Sequence, residues 1–472
     1  MKKKKVLMWF RRDLRVADNV ALTEAAKIGE VFPLFIFDSS LNLLEGQRTA
    51  SDSWLNVSLS RLSESLHHCL VMQKGKALEV ILSLCEKNQI DAVVWNRMYE
   101  PQSIERDRII KSALIEKGLQ VKSYNSLLLW EPWTVKHKSE RRYQVFTPFY
   151  RQGCLKSDNP RVPLPAPLGL EVKKLGSLVD AFSYCEPQKR QWEVSLLEGC
   201  AIGENAAEQK CDHFIKNGLK GYKSKRNFPA KSAVSQLSPH LHFGEISPNT
   251  VWHKVKAQSA GADSDHFCSE LGWREFSYYL LYHQPQMTTE NLKTAYEDFP
   301  WGFDEALFDA WRYGKTGFPF IDAGMRQLYK TGYMHNRLRM QTASFLTKNC
   351  FIHWRYGYEW FLNCLFDADV ANNAAGWQWS SGAGVDSAPY CRVFNPITQS
   401  KKFDEDASFI KYHVPELKHL PVEFVHEPWL APEDVLAGAG VVLGQNYPHR
   451  IVDFQQTSQQ AQQAFQQLGM NS

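Results

Sequence analysis

The sequence predicts two domains of different class, an α/β domain built on a doubly wound parallel sheet and an all-α domain that follows it. The first observation is that short runs rich in Val, Ile, Phe and Trp alternate with helical patterns near the N-terminus. The second is that apolar residues later in the chain recur with the period of an α-helix. The third is the length, because 472 residues are enough for two or three separate cores.

The α/β domain is predicted over residues 1–130. Strand-like runs lie at residues 6–10, 31–37 and 92–95, and helical patterns lie at 21–26 and 77–86. Strands that alternate with helices indicate a parallel sheet covered on both faces, with any ligand at the carboxyl ends of the strands. The glycines of this region do not form a GxGxxG pattern. The fold class alone therefore predicts no dinucleotide site here.

A linker is predicted over residues 131–200, where Pro and Gly are frequent and the charges are mixed. Helical periodicity follows at residues 321–328, 334–346 and 360–366, so residues 201–453 are predicted to form the all-α domain. Residues 454–472 are rich in Gln, which indicates either a frayed terminal helix or disorder.

Composition excludes disordered chains, small disulfide scaffolds and membrane-spanning proteins. The chain is 44% hydrophobic with a net charge of +4, and no apolar run approaches the roughly 20 residues that a spanning helix needs. The basic N-terminus is followed by an apolar stretch too short for an export signal. We therefore expect a cytoplasmic monomer without an obligate protein partner. The ten cysteines form no CxxC pair, so we expect reduced thiols and no metal.

Aromatic residues make up 13% of the chain, and they include 15 tryptophans. Seven of these lie in one stretch of the second half: Trp273, Trp301, Trp311, Trp354, Trp360, Trp377 and Trp379. One interpretation is a dense core, because aromatic side chains dominate burial. The other is a binding site or an electron path, and the pattern leaves both open.

A basic segment at residues 216–231 contains no acidic residue and includes Tyr222, Arg226 and Phe228. It is either a solvated face or a surface that meets a polyanion. Downstream, Ser238 and Ser247 each precede a proline that can begin a helix. Both serines are predicted N-caps, and a helix N-terminus can also hold phosphate.

Helical spacing groups several polar side chains. Glu270, Trp273 and Arg274 share one face, where Glu270 could simply pair with Arg274. In the helix predicted around residues 334–340, Asn336 and Met340 share one face and His335 and Arg339 share a neighbouring one. The acids at 367 and 369 lack a third ligand at metal spacing. Trp377 and Trp379 are two residues apart and cannot serve the same surface.

The chain resembles the photolyase/cryptochrome family nearly end to end, and specifically the class I cyclobutane pyrimidine dimer photolyases. The resemblance is carried by WFRRDLR at residues 9–15, VFTPF at 145–149, WREF at 273–276, TGFP at 316–319, MHNRLRM at 334–340, NNAAGWQW at 372–379 and NP at 395–396. It implies an α/β domain with an antenna chromophore, a helical FAD-binding domain, and repair of DNA by light-driven electron transfer.

The resemblance implies that FAD contacts a set of residues in and near the helical domain: Tyr222, Val234, Ser235, Gln236, Leu237, Ser238, Arg274, Arg339, Asp367, Asp369 and Asn373. Arg339 and Asp367 would pair beside the flavin, and Asn373 would face flavin N5. Val234 and Gln236 stand where relatives usually have Thr and Arg. The antenna would be methenyltetrahydrofolate or a deazaflavin, and relatives that bind folate have Asn and Glu where this chain has Gln102 and Ser103.

The family also implies a pocket for a dimer flipped out of DNA, lined by Glu270, Asn336 and Met340, with Trp273 and Trp379 stacked on the bases. Asn373 would complete the catalytic set, and a protonated Glu270 would donate a hydrogen bond to the dimer. Trp377, Trp354 and Trp301 match the family's electron relay. Three further residues would reach the DNA strand: Arg226, Arg337 and Gln399.

Three alternatives to this assignment can be distinguished. A (6-4) photolyase would need histidines in the helix that carries Asn336 and Met340. A cryptochrome shares the fold and FAD but signals without repair, and the lesion-binding set argues against it. A nucleic-acid-binding protein that acts without light would explain the basic segment but not the order of the motifs.

Overall fold

The computed structural model describes residues 3–38, 49–137, 139, 141–175, 195–258 and 261–468. The chain divides into two compact units. The first comprises Met1–Lys220 and Ser235–Pro285, and the second comprises Gly221–Val234 and Gln286–Ser472. The predicted linker at 131–200 falls partly on residues 138, 140 and 176–194, which lie outside the described residues, and the predicted domain boundaries stay a prediction.

The first unit contains a five-stranded, all-parallel sheet in the order β3-β2-β1-β4-β5. The strands are β1 Lys4–Phe10, β2 Gly29–Asp38, β3 Val71–Gly75, β4 Ala92–Asn96 and β5 Gln120–Tyr124. The intervening helices are α1 Val20–Ile28, α2 Ala50–Ser65, α3 Ala77–Asn88 and α4 Pro101–Glu116. The predicted doubly wound α/β class is confirmed. Strands β3 and β5 were not predicted, because their sequences mix polar and apolar residues.

Side chains at the carboxyl ends of β1 and β4 bind one another. Asn96 donates to Asp13 Oδ2 at 2.6 Å and to Asn19 Oδ1 at 2.8 Å. The Arg11 guanidinium donates to both carboxylate oxygens of Asp107, at 2.8 and 2.7 Å. Arg106 lies 3.2 Å from Asp38, the last residue of β2. These pairs close the polar edge of the sheet over an apolar core that runs from Leu7 to Leu175.

The helices of the first unit continue with α5 Glu204–Asn217, α7 Ser238–Phe243, α8 Pro248–Gln258 and α9 Ala262–His283, and short helical turns lie at Phe146–Pro148 and Phe149–Gly153. The short helix α6, Tyr222–Lys225, belongs to the second unit. The other helices of that unit are α10 Glu305–Arg312, α11 Pro319–Thr331, α12 Asn336–Lys348, α13 Trp354–Cys364, α14 Val370–Ser381, α15 Pro396–Phe403, α16 Ser408–His413, α17 Val422–Val425, α18 Glu433–Gly438 and α19 Phe454–Gln467. The predicted all-α class of this region is confirmed.

Cap residues explain where several of these helices begin. Asp304, Asp369, Asn395 and Asp453 each accept a backbone N–H from the first turn of the helix that follows. The Gln-rich segment forms α19, and its Ala464 and Phe465 pack in a core cluster. Residues 469–472 of the predicted tail lie outside the described residues.

Within the described ranges, no helix is long and apolar enough to cross a membrane. Likewise, no group of three or more His, Cys, Asp or Glu side chains in that part of the chain could hold a metal ion. Its nine cysteines are free thiols, and Cys85, Cys154, Cys211, Cys268 and Cys350 are buried.

Candidate functional site

Helix α14 carries three candidate residues, two on one side and the third on another. The Asp369 carboxylate accepts from Asn372 N at 2.8 Å and begins the helix, and Gly382, with a φ of 104°, ends it. Asn373 and Trp377 are one helical turn apart, whereas Trp379 lies about 200° round the helix from Trp377. The two tryptophans lie on different sides of the helix, with Trp377 buried and Trp379 half-buried beside a small cavity.

The Asn373 amide has a fixed orientation. Its Nδ2 donates to the Tyr358 carbonyl at 3.0 Å. Because the two arms of an amide diverge, Oδ1 points away from that carbonyl and offers an uncharged acceptor. Asn373 is half-buried and can therefore meet a ligand.

Trp377 lies in an aromatic cluster and is only 2% exposed. Its ring centroid is 4.9 Å from that of Phe361 and 6.0 Å from that of Trp311. Gly357 makes room for it, since a Cβ there would lie 2.0 Å from the Trp377 ring. Among the described residues its buried Nε1 has no hydrogen-bond partner, which is the state expected of a donor that meets a ligand.

Trp354 and Trp301 are held through neutral groups. Trp354 Nε1 donates to Asn291 Oδ1 at 2.7 Å, and Trp301 Nε1 donates to the Thr347 carbonyl at 3.0 Å. The His353 ring contacts both indoles, with centroids 4.7 Å from Trp301 and 5.6 Å from Trp354. Burial, followed by Arg355, lowers the pKa of His353 to about 4. The ring is therefore neutral at ordinary pH.

Arg339 and Asp367 form the pair that was expected of them. Arg339 Nη2 lies 2.9 and 3.1 Å from the two Asp367 oxygens, and Arg339 Nε donates to the Met334 carbonyl at 2.9 Å. Asp367 is 7% exposed, and the Arg339 side chain is 26% exposed. The guanidinium thus retains access to solvent or to an anion while its partner is buried.

Helix α12 begins at Asn336, two residues later than predicted. His335 is its N-cap, and His335 Nδ1 accepts from Arg337 N at 3.1 Å, so His335 and Arg339 do not share a helical face. Burial, with Arg226, Arg337 and Arg339 nearby, lowers the pKa of His335 to about 4. Asn336 is exposed and Met340 is half-buried, at positions i and i+4 of the helix.

The predicted DNA-contacting residues of the second unit each have a supporting contact. Arg337 donates to Asn227 Oδ1 at 2.6 Å, and Gln341 donates to Gln399 Oε1 at 3.0 Å. The Arg226 guanidinium lies 5.4 Å from the Tyr222 ring centroid. Asn227 and Gln341 could not be identified from the sequence, because each lies far along the chain from the residue that it contacts.

In the first unit, the residues before α7 depart from the prediction. The N-cap of α7 is Leu237, no side chain caps it, and Ser238 is its first residue. Ser235 instead accepts from Leu237 N at 3.4 Å, and Gln236 has a φ of 51°. Gln236 is thus in the left-handed region, which reverses the chain before the helix. The second predicted cap is confirmed, since Ser247 Oγ accepts from Thr250 N at 2.9 Å.

Helix α9 carries Glu270, Trp273 and Arg274. The Trp273 indole stacks on Phe146, with centroids 3.9 Å apart and planes inclined by 11°, so one of its faces is covered. Glu270 Oε1 lies 3.9 Å from His266 Nε2. Arg274 is buried and donates to the Leu127 carbonyl at 2.8 Å.

Glu275, which follows Arg274, was not predicted as a site residue. It is 2% exposed and accepts from Trp130 N at 3.1 Å. Burial raises the pKa of Glu275 to about 7. Its place in the WREF motif was the only signal available.

Comparison with known proteins identifies photolyases and cryptochromes as relatives of this chain. Residues 6–168 match the family model described as DNA photolyase, and residues 267–467 match the FAD binding domain of DNA photolyase. The chain is 43% identical over 469 residues to a deoxyribodipyrimidine photo-lyase of Agrobacterium fabrum, covering 98% of this chain and 97% of the relative. It is 33% identical to cryptochrome-1 of Arabidopsis thaliana, covering 98% of this chain and 70% of the relative. The crystal structure of a bacterial class III photolyase from Agrobacterium tumefaciens superposes with a TM-score of 0.94 at 41% identity, covering 100% of this chain and 99% of that one.

Proposed function

Because the chain belongs to the photolyase/cryptochrome family, we propose that it is a deoxyribodipyrimidine photo-lyase that repairs cyclobutane pyrimidine dimers in DNA by light-driven electron transfer. The observation that carries this proposal is the arrangement on α14. The helix combines a fixed, uncharged amide, a buried indole in an aromatic cluster and a half-buried indole on another side. A flavin site and a base-stacking site need these groups on separate surfaces.

FAD is the cofactor that the matching domain implies. The second unit would hold it with Tyr222, Arg339, Asp367, Asp369 and Asn373. Val234, Ser235, Gln236, Leu237, Ser238 and Arg274 would complete the set. The unpartnered Trp377 Nε1 and the free arm of Asn373 suit a polar ring system nearby. When bound, reduced FAD supplies an electron after it absorbs light. Asn373 would accept a hydrogen bond from flavin N5 without adding charge, and Arg339 would balance an anionic flavin.

Trp377, Trp354 and Trp301 would carry electrons between the flavin and the surface. The neutral acceptors Asn291 and Thr347 support this role. They bind the indole N–H groups without removing the proton, so an oxidised indole would keep its charge and return to its starting state when it is re-reduced.

The lesion would be bound by Glu270, Trp273, Asn336, Met340 and Trp379. Phe146 covers one face of Trp273, so the opposite face would take a pyrimidine, at about 1–3 kcal/mol per stacked base. A dimer is already poorly stacked in the duplex, which lowers the cost of flipping it out.

Contacts to the DNA strand are proposed for Arg226, Arg337 and Gln399. Two guanidinium groups that replace phosphate counterions make affinity depend on salt, whereas the pocket supplies lesion specificity. The class of photolyase is also part of this proposal. The sequence predicted class I, and the similarity to a class III structure over the whole chain favours class III. A second chromophore in the α/β domain and a monomeric state complete the proposal.

The decisive experiment is repair of a thymine-dimer oligonucleotide under blue light and in darkness, with an absorption spectrum of the purified protein. We expect bound flavin and repair only in light. Flavin without light-dependent repair would instead indicate a cryptochrome, and a protein that binds no flavin under conditions that load FAD would contradict both.

Glu270 offers a sharper test of the repair step. If its carboxyl group donates a hydrogen bond to the dimer as negative charge develops, Glu270→Ala should lower the repair quantum yield more than it lowers dimer affinity. Glu270→Gln keeps a donor and should retain more of the yield. Equal yields for the wild type and both variants would reject this role.

A further inference from the structure

Beyond Trp301, the second unit contains a tyrosine that continues the aromatic contacts. Tyr296 lies on the short 3₁₀ turn Thr294–Asp298. Its ring centroid is 5.8 Å from that of Trp301, with the planes inclined by 26°. Tyr296 is only 3% exposed and belongs to the core cluster that also contains Phe299 and Phe465. Trp301 is half-buried and packs against this cluster. Two stacked rings of low oxidation potential favour transfer of an electron between them.

The Tyr296 hydroxyl reaches the C-terminal end of α14. A Cβ at Gly382 would lie 2.2 Å from Tyr296 Oη, so glycine provides the space for this hydroxyl. Tyr296, Lys348, Tyr390 and Arg392 line a cavity of about 10 Å³, which is close to the smallest space that holds one water molecule. The phenol therefore has a polar space into which a proton can leave.

Lys348 is a suitable group to receive that proton. Its Nζ donates to the carbonyls of Ser380 and Arg392, each at 2.7 Å. Burial lowers the pKa of Lys348 to about 8, with Cys391 raising it and Arg392 lowering it further. A neutral amine can keep both hydrogen bonds and still present a lone pair. Above about pH 8, where the Lys348 amine is neutral, a proton acceptor is thus available in the same cavity.

We propose that Tyr296 is a redox-active residue that donates one electron to oxidised Trp301 and releases its phenolic proton into this cavity. The inference rests on the electron relay of the proposed function, in which the light-excited flavin is the oxidant. The transferred electron restores neutral Trp301, and the proton passes from Tyr296 Oη through water to Lys348 or to solvent. Tyr296 becomes a neutral radical.

The electron moves from Tyr296 to Trp301 because oxidised Tyr296 can release its proton and oxidised Trp301 cannot. Trp301 Nε1–H is bound to the Thr347 carbonyl, which is not a base, so oxidised Trp301 remains a cation. Tyr296 can lose its proton and become uncharged. Because the tyrosyl radical is uncharged, it is not attracted electrostatically to the reduced flavin. The pair of reduced flavin and oxidised Tyr296 should therefore last longer than the pair of reduced flavin and oxidised Trp301.

The test uses the flavin-loaded protein with the flavin oxidised. Blue illumination should produce the electron paramagnetic resonance signal of a neutral tyrosyl radical. Tyr296→Phe should abolish this signal and speed the return of flavin absorbance at least about tenfold. Tyr412→Phe is the matched control, because Tyr412 is 75% exposed and lies on α16. Growth with ring-deuterated tyrosine should narrow the wild-type signal, which assigns it to a tyrosine even if the Tyr296 variant does not fold.

Trp301→Phe separates this inference from the relay on which it rests. If Trp301→Phe leaves flavin photoreduction unchanged, the relay of the proposed function is wrong. If Trp301→Phe slows photoreduction but Tyr296→Phe changes neither the radical signal nor the return of flavin absorbance, the relay stands and the role of Tyr296 is wrong. A wild-type signal insensitive to tyrosine deuteration would also overturn it.

Discussion

Trp9 and Trp95 of the sheet and Trp354 of the second, helical unit are similarly buried, but Trp9 and Trp354 contact groups of different charge. In the sheet, Trp9 and Trp95 are each 1% exposed, with ring centroids 5.9 Å apart. The guanidinium groups of Arg11 and Arg106 lie 4.5 and 4.8 Å from the Trp9 ring centroid. In the helical unit, Trp354 is fully buried, and its indole N–H is bound to the neutral amide of Asn291.

This difference separates two functions of the same residue type. A guanidinium over an indole stabilises the neutral ring through its quadrupole, but it opposes the positive charge that oxidation leaves behind. Trp9 is therefore suited to packing and ill suited to electron transfer. In the second unit, Trp301 and Trp354 instead contact a carbonyl, an amide and a neutral histidine, which tolerate a transient cation, whereas Trp360 and Trp429 each have a guanidinium near the ring. The charge of the neighbours, and not the number of tryptophans, indicates which of them can act in a relay.

The largest expected effect is the loss of the buried indole on α14. Trp377→Phe should lower the rate of flavin photoreduction by at least about 1,000-fold, because phenylalanine is far harder to oxidise and about 4 kcal/mol is added to the barrier. The measurement is the rate of flavin reduction under blue light with an external reductant. Trp95→Phe, in the sheet, should leave this rate unchanged. A slow rate in both variants would contradict the separation of functions.

A cation placed beside the relay tryptophans should oppose their oxidation, as the guanidinium groups beside Trp9 do in the sheet. His353 contacts Trp301 and Trp354, and His353→Arg would add a permanent charge there. At about 5 Å and an effective dielectric constant of about 20, repulsion of an oxidised indole is about 3 kcal/mol. Photoreduction should slow about 100-fold. His353 is the N-cap of α13, where its Nδ1 accepts from Arg355 N at 3.2 Å. His353→Asn keeps a capping side chain without charge and should stay near the wild-type rate. Equal rates for the two variants would show that neighbouring charge does not control the relay.

Stability should depend on pH in the second unit because His335 is buried and neutral. The pKa of His335 is lowered to about 4, whereas an unfolded histidine titrates near 6.5. Between these values the unfolded chain binds the proton and the folded chain does not, so stability is complete above about pH 6.5 and falls as the pH decreases toward 4. The contribution of His335 should be about 2 kcal/mol between about pH 7 and pH 5.

The measurement for this prediction is urea unfolding at both pH values. His335→Asn retains a good N-cap and removes the titration, so its loss of stability on acidification should be smaller by about 2 kcal/mol. The exposed His419 provides the control, and His419→Asn should behave like the wild type. If His335→Asn loses as much stability as the wild type, the buried histidine is not the titrating group.

The fold class could be predicted because the central strands are apolar on both faces. β1 and β4 are almost continuous runs of buried residues, whereas β5 alternates between exposed and half-buried positions and gave no signal. The start of α12 was missed because its N-cap is His335, a residue outside the usual capping set. Asp369 caps α14, and its role as a cofactor ligand stays a prediction.

The site could be predicted only in part. Arg339 and Asp367 were expected to pair from the family resemblance, and their contact is confirmed. The hydrogen-bond partners of Trp354 and Trp301 could not be predicted, because Asn291 and Thr347 lie 63 and 46 residues away along the chain. The role of Gly357 could not be predicted either, since this glycine leaves space for the Trp377 ring, which is distant along the chain. Such contacts depend on tertiary packing, which local spacing does not specify.

The smallest expected effect is on Trp9 itself. Trp9→Phe removes the larger ring beneath two guanidinium groups, but Trp9 Nε1 has no hydrogen-bond partner among the described residues. No hydrogen bond is therefore lost, and the cost should be about 1–2 kcal/mol in the free energy of unfolding, from cavity formation and weaker cation–π contact. Urea unfolding measures this cost, and photoreduction and dimer repair should remain at wild-type rates. If Trp9→Phe has the expected stability but its flavin is photoreduced slowly, Trp9 belongs to the relay. A cation stacked on a tryptophan would then no longer indicate that the tryptophan serves only in packing.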